Sequence, residues 1–202
     1  MVKIRWKEKI FIHFMRNPSL GHTRGTGGET MQELIWYILV YSFLGYLLEV
    51  AYSKVVHGHG RGRKCLLLLP LCPVYGVGAV AIVALSGPDP QPLWGMTVGC
   101  LVATATEFLF GLYYKYVLGV SFWDYSQVGG NVGGLVCLPF SLAWSGLALV
   151  LLYTVHPFVK TCVLAIPPQL STPAWIVFLA DCLVSSFALK REGNALVLQW
   201  YR

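Results

Sequence analysis

The apolar residues of this chain fall in continuous blocks of about twenty, and that arrangement constrains the fold more than any other feature. A helix needs about 20 apolar residues to cross ~30 Å of hydrocarbon at ~1.5 Å per residue. Blocks of that kind run at about residues 34–56, 66–85, 93–117, 135–155 and 173–189. Within each block the apolar residues are contiguous rather than alternating with polar ones, which argues against a β-barrel. Charged residues make up 12% of the 202-residue chain, against ~25% in soluble domains. The expected fold is all-α, a polytopic transmembrane helical bundle of about five spans. It divides into a basic tail at 1–30, a transmembrane domain at 31–190 and a short cytoplasmic tail at 191–202.

The breaks within this pattern are as informative as the blocks. Pro70 and Pro73 interrupt the second block, and proline removes a backbone donor. Leu66–Cys72 is therefore expected to be a partly unwound or re-entrant lead-in, its backbone satisfied by buried protein groups. Ser86 to Pro92 reads as a tight turn. Gly129–Gly134 reads as a turn or packing segment, since it lacks the Gly-Lys-Ser/Thr of a phosphate-binding loop. His156-Pro157 is expected to end the fourth span, and Pro167-Pro168 to punctuate the next connection. Residues 1–30 have no apolar core of a secretory signal. They read either as a disordered or interfacial basic tail or as an untranslated extension. In the second reading Gly27-Gly28-Glu29-Thr30 reflects a purine-rich ribosome-binding run before a start at Met31, and any peptide from 1–30 would exclude it.

The net charge of +6 does not point to nucleic acid, because the cations sit where topology signals sit. Near the span ends, Arg16, Arg24 and Lys160 lie on one side. Lys54, Arg61, Arg63, Lys64, Lys115, Lys190, Arg191 and Arg202 lie on the other. This bias predicts a multi-pass protein of the bacterial cytoplasmic membrane, with the N-terminus outside and the C-terminus inside. Counting the whole basic tail nearly removes the bias, so the reading depends on that tail being remote or absent. Most of the six cysteines lie in or beside apolar blocks, and they form no disulfide-rich module. His57-x-His59 with Cys65 has the residue types of a metal cluster, yet it lies in a glycine-rich basic loop better suited to lipid headgroups. No metal, cofactor or enzymatic motif is indicated.

Ionisable groups in hydrocarbon cost ~2.5–3.5 kcal/mol or more, so Glu49, Glu107 and Asp181 each require a reason. Glu49 shares a helical face with Ser42, Gly45 and Tyr52, and Glu107 shares one with Thr104, Gly111 and Tyr114. Small residues and hydroxyls on an acid's face are expected to look inward. Alternating span direction puts both glutamates at the cytoplasmic level, with Asp181 near the middle. Cys72, Tyr75, Asn131, Cys137 and the Trp123-Asp124-Tyr125 loop belong to the same half. These ten residues are the candidate functional cluster, expected to line a polar vestibule opening inward. The alternative is that the glutamates are protonated and simply hydrogen-bond neighbouring helices.

The stretches Tyr41–Glu49, Leu71-Cys72-Pro73-Val74-Tyr75-Gly76, Thr106-Glu107-Phe108, Trp123-Asp124-Tyr125-Ser126, Asn131, Cys137-Leu138, Ser141-Leu142, Trp144 and Asp181 to Ser185 carry a family resemblance. Over about Met31 to Lys190 the chain resembles a bacterial membrane family described as "Putative ABC-transporter type IV", whose members carry the label of ABC transporter permease. The resemblance implies a transport subunit in the lipid bilayer that needs a separate ATPase, because the chain holds no nucleotide-binding motif. A chain this small also implies a homo- or hetero-oligomer. The other readings are a non-transporting accessory or sensory membrane protein and an intramembrane enzyme acting on a lipid headgroup. One departure matters. The family tends to have Gly-Arg where this chain has Gly134-Leu135-Val136 before Cys137-Leu138. Without that Arg, Glu49 or Glu107 is expected to be protonated or to use Tyr75 or Asn131 as partner.

Overall fold

A computed structural model describes residues 27–57 and 64–199; the tail at 1–26, the loop at 58–63 containing His59, and the last three residues lie outside it. The described chain is a helical bundle. Helix α1 is Gly27–His57 and α2 is Pro73–Ser86. Helix α3, Pro92–Leu112, is prolonged by a wider turn at Tyr113–Leu118. A two-residue hairpin follows, β1 (Asn131–Val132) antiparallel to β2 (Val136–Cys137). Helix α4, Leu138–Val150, runs through a π turn at Leu151–Val155 into α5, His156–Leu164. After a 3-10 turn at Pro168–Leu170 comes α6, Ser171–Glu192, and a last 3-10 turn at Ala195–Gln199. Among the described residues four helical stretches are long and apolar enough to cross a membrane: Met31–Val56, Pro92–Leu118, Leu138–Leu164 and Pro168–Glu192. The apolar α2 is shorter.

Fourteen residues of α2 span only ~21 Å at ~1.5 Å each, less than the ~30 Å of hydrocarbon. A bent, non-helical stretch at 64–72 precedes it. Its backbone donors find side-chain acceptors on α6. Leu67 N donates to Ser185 Oγ at 2.8 Å, Leu68 N to Asp181 Oδ1 at 3.1 Å and Leu69 N to Asp181 Oδ2 at 2.7 Å. Cys72 N then donates to the carbonyl of Ser42 on α1 at 2.9 Å. Pro73 starts α2 at its first position, where the missing N–H costs nothing because the first-turn amides have no intrahelical acceptor.

The α1–α2 contact needs glycine on both sides. A Cβ on Gly45 would fall inside the Tyr75 side chain, and one on Gly76 would strike Ser42 Oγ and the Ile38 carbonyl. The face Ser42–Gly45–Glu49 is thus turned inward against α2. Further along, Tyr37, Tyr41, Val80, Val83, Ala148 and Leu152 form the main buried cluster.

The fourth span does not end at His156-Pro157. The rod continues to Leu164, because the π turn at 151–155 places the proline at the start of the next helical segment. A widened turn relieves the clash and the missing donor that proline otherwise imposes. His156 is consequently buried, and Tyr41 OH lies 2.6 Å from its Nδ1.

Candidate functional site

At the end of the bundle where α1, α3 and α6 finish and α2 and α4 begin, the helices enclose a chamber of about 620 Å³. Lys54, Lys115, Lys190 and Arg191 belong to the same end. The chamber adjoins a mostly apolar cavity of about 330 Å³. Leu48, Tyr75, Glu107, Trp123, Trp144 and Leu147 are walls of both.

Glu107 on α3 is 7% exposed and both of its oxygens accept hydrogen bonds. Tyr125 OH donates to Oε1 at 2.9 Å, and Trp144 Nε1 from α4 donates to Oε2 at 3.0 Å. Glu49 on α1 is 9% exposed and accepts from Tyr75 OH at 2.7 Å. The two acid centres are joined through rings, Tyr75 meeting Trp144 edge-on with centroids 5.8 Å apart. Tyr125 stacks on Phe140 at 4.9 Å, and Phe140 meets Tyr52 of α1 at 6.4 Å. Glu49 and Glu107 therefore belong to one aromatic-lined network built from α1, α2, α3, α4 and the loop after α3. Buried acceptors held by phenol and indole donors are the arrangement that keeps a polar group tolerable in an apolar bundle.

Six of the ten candidate residues line the chamber: Glu49, Tyr75, Glu107, Trp123, Asp124 and Tyr125. Trp123 also donates Nε1 to the Leu135 carbonyl at 2.7 Å. Asp124 is exposed and closes a turn by accepting from Ser126 N at 2.9 Å. That backbone bond, helped by the Ser126 hydroxyl and by Lys115, holds its carboxyl below the usual carboxylate range.

The other four are placed elsewhere. Asn131 holds its own loop, donating to the Val128 carbonyl at 2.8 Å and accepting from Gly134 N at 3.2 Å. Cys137 is buried at the N-cap of α4, its carbonyl accepting from Ser141 Oγ. Cys72 is buried at the N-cap of α2 beside Cys65. Asp181, 1% exposed, serves the lead-in backbone. The glycine-rich segment is a turn, with Gly130, Gly133 and Gly134 all at positive φ. Of the two substitute partners expected in the absence of Arg, Tyr75 is used by Glu49, whereas Asn131 reaches neither glutamate in any of these bonds. At the position where the family tends to have Arg, Leu135 is buried against Gly111, one turn beyond Glu107.

Sequence reasoning missed Phe140, Trp144 and Lys64 as chamber walls. The first two were readable, because Phe140, Ala143, Trp144 and Leu147 stand at helical spacing on one face. Lys64 was not, since it depends on how the lead-in folds back. Ala195 and Leu196 of the last turn also border the chamber. Among the described residues no group of three or more His, Cys, Asp or Glu side chains is placed to hold a metal ion.

These features define an α-helical membrane-bundle protein with an acid- and aromatic-lined chamber at one end. The family model described as "Putative ABC-transporter type IV" matches residues 36–187, so the chain belongs to that family. No curated protein and no solved structure matches it.

Proposed function

We propose that the chain is the membrane-embedded, permease-like subunit of a bacterial transport system, with the chamber as the cytoplasmic-facing part of its substrate pathway. The observation carrying this reading is the convergence of Glu49 and Glu107, from two different spans, on one aromatic-lined chamber. Intramembrane carboxylates at a cavity mark ion or substrate paths more often than packing. The end of the bundle that holds the chamber is also its basic end, which the positive-inside bias assigns to the cytoplasm. The adjoining apolar cavity extends the pathway between α1 and α4. The chamber has Tyr52 against Phe140, and Tyr41, hydrogen-bonded to His156, lines the apolar cavity. In this reading the chain is not itself an enzyme. A separate ATPase supplies energy and docks at the cytoplasmic loops, near residues 57–64 and 115–130.

The test is purification from the native host in mild detergent, with mass spectrometry of what accompanies the chain. A stoichiometric ATPase is expected. Glu49→Gln and Glu107→Gln should keep that partner and the fold while lowering coupled ATP hydrolysis or transport at least tenfold, ~1.4 kcal/mol in the activated step. A homo-oligomer without ATPase after crosslinking would replace this reading with that of a non-transporting accessory or sensory protein.

A further inference from the structure

Cys65 and Cys72 bracket the bent lead-in to α2, and their sulfurs lie 2.9 Å apart in a buried contact. Neither residue lines the chamber, and the transport reading makes no use of them. We propose that these two thiols form a reversible intramolecular disulfide that staples the lead-in.

The geometry needs little adjustment. A disulfide has S–S of ~2.05 Å, so the contact has to shorten by ~0.9 Å. The flanking backbone is fixed at Leu67, Leu68 and Leu69 by Ser185 and Asp181, and at Cys72 by Ser42. Those bonds hold the two sulfurs in register. Cys72 is the N-cap residue of α2, which fixes its place at the end of the lead-in. Cys65 follows Lys64, which lines the chamber and donates Nζ to the Leu67 carbonyl. The chamber wall at Lys64 lies one residue from Cys65, and both thiols are buried.

The oxidant is a peroxide. The Cys65 thiolate attacks one oxygen of hydrogen peroxide, the O–O bond breaks, and the departing oxygen leaves as water after taking up a proton. Cys65 is then a sulfenic acid. The Cys72 thiolate attacks its sulfur, the S–S bond forms, the S–O bond breaks and a second water leaves. Two thiols and one peroxide become one disulfide and two waters, with two electrons passing from sulfur to oxygen. A dithiol reductant reverses the change by thiol–disulfide exchange. Because Lys64 and Tyr75 stand just outside the ring so closed and both line the chamber, oxidation stiffens one wall of it.

The experiment uses the full chain in mild detergent, treated with hydrogen peroxide, quenched in acid, unfolded, alkylated with a maleimide and weighed intact. All six cysteines are thiols in the structure. Peroxide should lower the number alkylated by two, a dithiol reductant should restore both, and peptide mapping should find Cys65 linked to Cys72. Full alkylation after peroxide would overturn the proposal, as would a link from either residue to another cysteine, or sulfinic acid at either without a link. In Cys72→Ser the linked peptide and the paired loss should vanish. If that variant does not fold, the wild-type map decides alone.

Discussion

Replacing Asp181 tests the account of the second span most directly. Its carboxylate accepts from Leu68 N and Leu69 N of the lead-in and from Ser185 Oγ, at 2.7 to 3.2 Å. Asp181→Ala leaves two backbone donors without acceptors in an apolar surrounding. Each costs about 1–3 kcal/mol, so the lead-in should weaken by about 2–6 kcal/mol, a large share of the ~5–15 kcal/mol that holds a typical domain. Asp181→Asn behaves differently. Its one remaining oxygen keeps a backbone donor, and its amide can donate to Ser185 Oγ, so the loss should be ~1 kcal/mol. Native-state hydrogen exchange reads the difference at the amides concerned. Leu68 and Leu69 should exchange at least ~30-fold faster in the Ala variant, at 1.4 kcal/mol per tenfold, and only a few-fold faster in the Asn variant, while amides of α3 remain slow. Equal damage from Asn and Ala would show that charge, not acceptor geometry, is what the lead-in needs. No change in either would refute the role altogether.

Gly45→Ala places a methyl inside Tyr75 and should cost about 1–3 kcal/mol by overpacking. Thermal unfolding in detergent would measure this, with Glu49→Gln little changed by comparison. Tyr41→Phe removes a buried hydrogen bond to His156 Nδ1 and should destabilise by about 1 kcal/mol. A double-mutant cycle with His156→Phe should recover most of that loss, and strict additivity would show that the contact carries no energy. At Asp124 the folded carboxyl lies below its usual value, so its turn is fully supported above the unfolded pKa of ~3.9. That support is lost only as pH falls through the lower folded value. A carboxyl NMR titration should find a midpoint below that of a model peptide, and Asp124→Ala should shift no other acid by as much. A midpoint at or above the model value would contradict the turn's hydrogen bonds.

How much was legible depended on the kind of constraint each residue carries. Spans, their proline breaks and the inward face of α1 follow from local chemistry, since apolar length, missing donors and small residues act within a few positions. The unwound start of the second span was readable for that reason. Which residues share one level of the bundle was also readable, because rise per residue is fixed. Direction around a helix axis was not. Cys72 and Cys137 lie at N-caps beside the chamber's level yet are buried outside its walls, and only the neighbouring helices determine that. Asp181 illustrates the same limit. An intramembrane acid announced a polar task, but its partners are backbone amides 112 and 113 residues away. The continuation past Pro157 was missed because a π turn five residues long leaves no mark in hydrophobic spacing.

The broken second span also explains why a chamber exists. Between α1, α3 and α4 a full-length helix would fill the slot below Tyr75 with its own first turns. Here the chain instead forms a bent, non-helical segment held to α6 by Asp181 and Ser185. From α2 only Tyr75 reaches the chamber, which is otherwise walled by α1, Lys64, Glu107, the loop at 121–125, α4 and the last turn. The acid on α6 and the two glutamates are thus two halves of one arrangement. Asp181 holds the lead-in aside, and Glu49 and Glu107 line the space left behind. It follows that Asp181→Ala, though remote from the chamber walls, should alter chamber access as well as stability, whereas Glu49→Gln should leave the lead-in amides protected.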